Sequence, residues 1–143
     1  MRNKLKFLLS LLGVSFFILA GCKKDDLLHR TPTTFTLTLT DQPKPGTYTG
    51  YFTASGDPTV SGTFSMDVLQ VGDSLHCSQE LVVPSKGSTI IISDCSLVTM
   101  TGRWYITSGK GAYRNLHGEG SLIMAFPVNS PEIEALYGHT WRK

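Results

Sequence analysis

The feature that most constrains the fold of this chain is a two-residue alternation of side chains that begins at Gly46. Within residues 46–56, one face carries aromatic and small residues, among them Tyr48, Gly50, Phe52 and Ala54, while the residues between them all bear hydroxyl groups. Successive side chains of a β-strand point to opposite faces, so the pattern predicts a half-buried strand. Beyond residue 22, no apolar stripe with helical spacing continues for even about ten residues.

The alternation returns in further segments that are separated by turn residues such as Asp57-Pro58, Gly72-Asp73 and Pro84-Ser85-Lys86-Gly87. We predict strands over residues 46–56, 60–68, 75–83, 89–95, 98–106, 119–126 and 132–142. About seven or eight antiparallel strands with short turns favour an all-β fold, either a small closed barrel or, as the alternative, a β-sandwich.

The N-terminal part of the chain has a different pattern. Arg2, Lys4 and Lys6 precede an apolar run over residues 7–20, which is shorter than the roughly 20 residues that a transmembrane helix needs. A basic start followed by a short apolar run is typical of a secretory signal. The run ends in Leu19-Ala20-Gly21-Cys22.

This ending resembles the lipobox of bacterial lipoproteins, in which the cysteine receives the lipid and becomes the new N-terminus. The resemblance implies that residues 1–21 are a lipoprotein signal peptide and that Cys22 is the lipidation site. Two or three acyl chains would anchor a soluble domain stably to a membrane. An ordinary secretory signal with an incidental cysteine is the alternative.

Lys23-Lys24-Asp25-Asp26 follows the cysteine. It resembles the short charged signal that directs Bacteroidota lipoproteins to the outer face of the outer membrane. The resemblance implies a lipid anchor in the outer membrane with the domain at the cell surface; a periplasm-facing domain with a merely solvated linker is the alternative. Residues 22–45 are predicted to be the lipidated N-terminus and a flexible Thr- and Pro-rich linker, in which Thr34 to Thr40 is a candidate early strand, and residues 46–143 to be the barrel domain.

The charge of the chain argues against nucleic acid as a partner. The formal net charge is +2, with 13 basic and 11 acidic residues, but three of the basic residues precede the first apolar run. Removal of the signal segment leaves ten basic and eleven acidic residues, a net charge of −1. No basic patch for phosphate binding then remains.

Besides Cys22, the chain contains Cys77 and Cys95, which lie nearly symmetrically about the turn at residues 84–87. We expect them to face each other across a hairpin and, in an exported chain, to form a disulfide that contributes roughly 3 kcal/mol. Two buried free thiols are the alternative. The cysteines and histidines do not have the close spacing of a zinc site, so no metal is predicted.

Glycines are concentrated between residues 102 and 120, in the segment Gly102-Arg103-Trp104-Tyr105-Ile106-Thr107-Ser108-Gly109-Lys110-Gly111-Ala112-Tyr113-Arg114-Asn115-Leu116-His117-Gly118-Glu119-Gly120. It does not end in Gly-Lys-Ser/Thr and no long helix follows, so we expect neither a phosphate loop nor a cofactor. The segment resembles a pattern in small secreted bacterial β proteins and, more distantly, the Gly-rich strand connection of the allene oxide cyclase and dirigent barrels. The resemblance extends to the hairpin over residues 46–64 and implies a barrel, but it carries no catalytic residue over to this chain.

The candidate ligand-lining residues are Arg103, Tyr105, Tyr137 and His139. Arg103 and Tyr105 take the face opposite Trp104, which we expect to be buried with Val98, Met100 and Ile106. His139 alternates with apolar residues of the last strand, which predicts that it points into the barrel, either as a core histidine or as part of a site. The carboxylates that a hydrolase could use are expected mostly on solvated faces; these are Glu80, Asp94, Glu119, Glu132 and Glu134.

Two function hypotheses follow from these observations. The first is a noncatalytic surface lipoprotein whose barrel binds a small apolar ligand, a glycan or an envelope protein. The second is a cyclase- or isomerase-like barrel enzyme that acts on a hydrophobic substrate. A hollow interior with converging groups such as His139 and Arg103 would favour the enzyme. An interior filled by aromatic side chains, expected from Phe52, Phe64, Trp104 and Phe126, would favour binding at the rim or outer face.

Overall fold

A computed structural model describes residues 29–125 and 133–143 of the chain. The predicted signal peptide, the lipidation site Cys22, the charged residues after it, Phe126 and Glu132 lie outside these ranges. The described residues form a closed barrel of antiparallel strands, which confirms the predicted fold class. Its strands are β1 (Thr31–Lys44), β2 (Thr47–Ser55), β3 (Val60–Val71), β4 (Ser74–Val83), β5 (Gly87–Ser96), β6 (Thr101–Gly109), β7 (Leu116–Ala125) and β8 (Ile133–Arg142).

Each strand pairs with the next in sequence, and β8 closes the barrel by pairing with β1. We call the end that carries the β1–β2, β3–β4 and β5–β6 turns the upper end, and the opposite end the lower end. Strand β1 starts and β8 finishes at the lower end, where Thr31 pairs with Thr140. Within the described residues there is no helix with the length and hydropathy needed to cross a membrane.

The predicted linker over residues 22–45 is wrong from Thr31 onward, because β1 is an integral strand of the barrel. The candidate early strand at residues 34–40 is confirmed and extends in both directions. Phe35 and Leu37 are buried in the interior, and β1 pairs with β2 on one side and β8 on the other. Alternating threonines gave this strand a polar composition, but they occupy its outer face, so the domain begins about fifteen residues earlier than predicted.

Trp104 fills the middle and lower part of the interior. It is 1% exposed, as predicted, and meets the Phe35 ring edge to face at a centroid distance of 5.6 Å. Its indole Nε1 donates a hydrogen bond of 3.1 Å to the Tyr137 carbonyl. A Cβ at Gly120 or Gly138 would lie 2.8 Å from the indole. The glycines of this motif therefore make room for one large side chain.

Two features close the lower end. A short 3-10 helix, Gly111–Tyr113, connects β6 to β7 and places the Tyr113 ring in the core. The hydroxyl groups of Thr33 and Thr140 are hydrogen-bonded, with 2.7 Å between their Oγ1 atoms. Thr140 also donates a hydrogen bond to the Asp57 carbonyl oxygen.

The start of β6 differs from the prediction. Residues 97–100 form the β5–β6 turn, Val98 is exposed, and Met100 has a positive φ of 56°. The apolar alternation at Val98 and Met100 is therefore not part of the strand, which begins at Thr101.

Candidate functional site

The upper end of the barrel contains a cavity of about 410 Å³, which we call the rim cavity. A volume of this size is typical of small-molecule sites. Its lining is mostly apolar and consists of Leu39, Gly46, Tyr48, Met66, Val68, Gln70, Leu75, Leu97 and Met124. The space at the lower end, between residues such as Phe35 and Tyr113, amounts to only about 10 Å³. The two ends therefore differ in their capacity to hold a ligand.

A cluster of polar side chains lies inside the barrel next to the rim cavity; its members are Gln79, Ser93 and Glu134, and we call it the interior polar cluster. Gln79 and Ser93 are 0% exposed and Glu134 is 1% exposed. Gln79 Nε2 donates to Glu134 Oε1 at 3.0 Å and to Oε2 at 2.9 Å. Ser93 Oγ donates to Glu134 Oε1 at 3.4 Å. Strands β4, β5 and β8 thus meet in one hydrogen-bonded network across the interior.

Burial raises the pKa of Glu134, although the hydrogen bonds from Gln79 and Ser93 lower it in part. Desolvation disfavours the charged carboxylate, and the side-chain donors compensate only partly. Among the described residues, no ion pair involves Glu134. The carboxyl group is therefore held in the interior by neutral partners.

The predicted disulfide is wrong, because Cys77 and Cys95 are both free and buried. Cys77 pairs with Ser93, and Cys95 pairs with Leu75, so the two cysteines are offset by two residues along the hairpin. Diagonal neighbours lie about 7–8 Å apart, beyond the usual Cα separation of a disulfide. The turn between β4 and β5 consists of residues 84–86 instead of the predicted 84–87, because Gly87 already pairs with Val83. Burial raises the pKa of the Cys77 thiol to about 12.

The four candidate ligand-lining residues all lie on the outside of the barrel. Arg103 and Tyr105 on β6 are exposed, as are Tyr137 and His139 on β8. The intervening strand β7 aligns Ser121 with Arg103 and Tyr137, and aligns Glu119 with Tyr105 and His139. The structure therefore brings the four residues together on one outer face, which we call the β6–β8 face.

The predicted inward orientation of His139 is wrong. The inward residues of β8 are Glu134, Leu136, Gly138 and Thr140, and the more apolar set that includes His139 faces outward. The reason is the close packing at the inward position 138, where a Cβ would lie 2.1 Å from the Glu119 carbonyl oxygen and 2.8 Å from the Trp104 ring, so that this face of β8 requires glycine there. The same constraint places Glu134 in the core, whereas Asp94 and Glu119 are exposed and Glu80 is half-buried, as expected of most of the carboxylates.

The interior polar cluster was not predicted from the sequence. Gln79 was detectable, because it lies on the same strand face as Cys77 and Leu81 and interrupts an otherwise apolar inward row. Nothing in the sequence indicated that Glu134 is buried, because the face of β8 that contains Glu134 is less apolar than the opposite face. Its orientation follows only from the packing of Trp104 against Gly138.

Comparison with protein-family models, curated proteins and solved structures finds no match to this chain. Residues 29–125 and 133–143 contain no group of three or more His, Cys, Asp or Glu side chains suited to a metal ion. The candidate site is therefore described by its own geometry, which combines an apolar rim cavity with an adjacent polar cluster.

Proposed function

We propose that this protein is a lipid-anchored surface lipoprotein of the outer membrane whose noncatalytic barrel binds a small apolar ligand in the rim cavity. The observation that carries the proposal is the apolar cavity of about 410 Å³ at one end of a barrel that is tightly filled at the other. Burial of apolar ligand surface contributes roughly 25 cal/mol per Å². A glycan or a protein partner would make less use of a cavity with this lining.

The surroundings of the cavity favour an apolar ligand. Leu69, Val71 and Val98 are exposed on or beside the β3–β4 and β5–β6 turns of the upper end. Exposed apolar groups beside a cavity offer a favourable approach surface to an apolar molecule. The ligand would therefore meet apolar side chains before it enters.

The position of the N-terminus supports a cavity that faces away from the membrane. Strand β1 begins at Thr31 at the lower end, and residues 23–30 would link it to a lipid at Cys22. The rim cavity lies at the opposite end of the barrel. An anchored domain in this orientation would take its ligand from the surrounding medium.

The aromatic filling of the barrel below the rim cavity favours binding over catalysis. Phe52, Phe64 and Trp104 are all buried in the barrel, as expected for a binding protein. Arg103 and His139, which an interior enzyme site was expected to use, are on the outer face. The two groups named as examples for an interior enzyme site are therefore not available to one, which supports the binding hypothesis.

Binding is tested with N-phenylnaphthylamine, a neutral apolar dye whose fluorescence rises in an apolar site. We expect the purified domain to bind it, and Val68→Trp, which fills the rim cavity, to lower the affinity by at least about tenfold. The matched control is Ser65→Trp, because Ser65 lies on the outer face of the same strand. Equal dye binding by the wild type and both variants would exclude the rim cavity as the site.

The anchor is tested separately by fractionation of cells. Cys22→Ala should move the protein from the detergent phase to the soluble fraction or leave an unprocessed precursor, because the acyl acceptor is lost. Digestion of intact cells by an added protease should remove the wild-type domain if it is at the surface. Unchanged fractionation of Cys22→Ala would refute the anchor, and full protection from protease would place the domain on the periplasmic side.

The β6–β8 face favours a second candidate, glycan binding. Tyr105 and Tyr137 are each 46% exposed and flank β7. Half-exposed aromatic rings on a sheet are suited to stacking on sugar rings. Loss of binding on a glycan array in Tyr137→Ala, with Val68→Trp unaffected, would support this candidate; absence of any glycan bound by the wild type would eliminate it.

A further inference from the structure

The interior polar cluster has a surplus of hydrogen-bond acceptors and lacks a cation. Glu134 accepts hydrogen bonds only from Gln79 and Ser93, and no Lys or Arg of the described chain forms an ion pair with it. A buried carboxylate without a cationic partner is costly, even with neutral donors. A ligand that brings a positive charge would offset this cost.

Gln79 adds a second, independent acceptor. Its Oε1 atom is fully buried and has no hydrogen-bond partner, while its Nε2 is fully engaged with Glu134, Ser93 and Met66. An unpartnered buried carbonyl oxygen carries a desolvation cost that a donor would remove. The cluster therefore needs hydrogen-bond donors, and it already has enough acceptors.

Two methionines of the rim-cavity lining lie beside the interior polar cluster. Met66 lines the cavity, and its Sδ accepts a hydrogen bond of 3.5 Å from Gln79 Nε2. Met124 also lines the cavity and is the cross-strand partner of Glu134. Methionine side chains are unbranched and change rotamer readily. Rotation of these side chains would join the apolar cavity to the polar cluster.

We propose that Glu134 and Gln79 form the deep end of the rim cavity and bind the protonated amine of a ligand whose apolar part occupies the cavity. The inference rests on the proposed function and specifies the ligand as an amphiphilic amine. An ammonium group has three donors and a full positive charge, so it can pair with Glu134 and donate to Gln79 Oε1 at the same time. A hydroxyl group would supply one donor and no charge, and a carboxylate would repel Glu134.

The experiment compares octylamine, octanol and octanoate, which share an apolar chain length and differ in the head group. Competition against N-phenylnaphthylamine measures the three affinities. We expect octylamine to bind the wild type at least about tenfold more tightly than octanol, and octanoate to bind most weakly. Glu134→Gln should reduce the octylamine affinity to that of octanol and leave octanol binding unchanged.

Glu119→Gln is the matched control, because Glu119 is an exposed carboxylate that pairs with Arg30 at 3.2 Å on the outer face. It should leave all three affinities unchanged. If Glu134→Gln does not fold, Gln79→Leu tests the same site. The preference of the wild type for octylamine over octanol can be measured without any variant.

The outcomes separate this inference from the proposed function. If none of the three compounds displaces the dye and the dye itself does not bind, the rim cavity is not a ligand site and both proposals fail. If octanol binds but octylamine binds no better, or if Glu134→Gln retains the preference for the amine, the amine site is refuted while the apolar cavity stands.

Discussion

The two ends of the barrel are built from the same eight strands but are stabilised in different ways. The lower end is closely packed and aromatic, with Trp104 packed over glycines and little free volume. The upper end has a cavity lined in part by two methionines, with a buried carboxyl group beside it. The difference shows how a small barrel can combine stability and binding: one end supplies the packing energy, and the other tolerates the voids and polar groups that a ligand site requires.

The largest expected effect is on the lower end. Trp104→Ala removes the main core side chain and should cost about 3–5 kcal/mol of the free energy of unfolding, out of a total of about 5–15 kcal/mol for a domain. The variant should be unfolded or barely folded in thermal denaturation, and the blue-shifted component of the tryptophan fluorescence should disappear. A melting temperature within about two degrees of the wild type would show that the lower end does not carry the stability.

A smaller effect is expected when the space for the indole is reduced. A Cβ at position 138 would lie 2.1 Å from the Glu119 carbonyl oxygen and 2.8 Å from Trp104 Cζ2. Gly138→Ala should therefore lower the free energy of unfolding by about 1–3 kcal/mol, measured by urea denaturation. Ser121→Ala on the outer face of β7 is the control and should change stability by less than about 0.5 kcal/mol. Equal stability of the two variants would contradict the close packing of Gly138 against the Glu119 carbonyl group and Trp104.

The buried carboxyl group near the upper end should make the free energy of unfolding depend on pH. Burial raises the pKa of Glu134 above its ordinary value of 4.5, so the folded state retains a proton that the unfolded state loses. The free energy of unfolding should then fall as pH rises above 4.5, by about 1.4 kcal/mol for each unit by which the folded pKa is raised, until pH passes that folded pKa. The other titratable groups at the cluster are Cys77 and Cys95, whose pKa values are themselves raised by burial.

Glu134→Gln removes this dependence, because glutamine is neutral at every pH tested. We expect the melting temperature of the wild type to fall more than that of Glu134→Gln between about pH 4 and about pH 8. Glu119→Gln should follow the wild type. Parallel curves for the wild type and Glu134→Gln would show that the buried carboxyl group does not weaken the upper end.

The smallest effect concerns the cysteines. Because Cys77 and Cys95 are free, a reducing agent should leave the melting temperature unchanged to within about one degree, whereas loss of a disulfide would cost about 2–5 kcal/mol. Burial also keeps the Cys77 thiol protonated, so alkylation of the folded protein should be slow and should become fast in denaturant. A mass two hydrogens lower before reduction would reveal a disulfide after all.

Much of the architecture could be predicted because a strand imposes a period of two on its side chains. The alternation located seven strands and the early one at residues 34–40, and it predicted the burial of Trp104 correctly. The domain boundary was missed because the threonines of β1 resemble a linker in composition, although Thr33 is buried and those from Thr34 to Thr40 cover an outer face.

The sequence by itself determined where most strands lie along the chain and the inward positions of strands whose two faces differ strongly in polarity, such as β2 and β3. Only the tertiary structure decided the register of β8, the offset of Cys77 from Cys95, and the meeting of Gln79 with Glu134. The physical reason is that period two specifies two faces but not which one turns inward when both contain apolar residues. In β8 that choice accompanies the close packing of Gly138 against Trp104 and the Glu119 carbonyl group, which lie on other strands and leave room only for glycine.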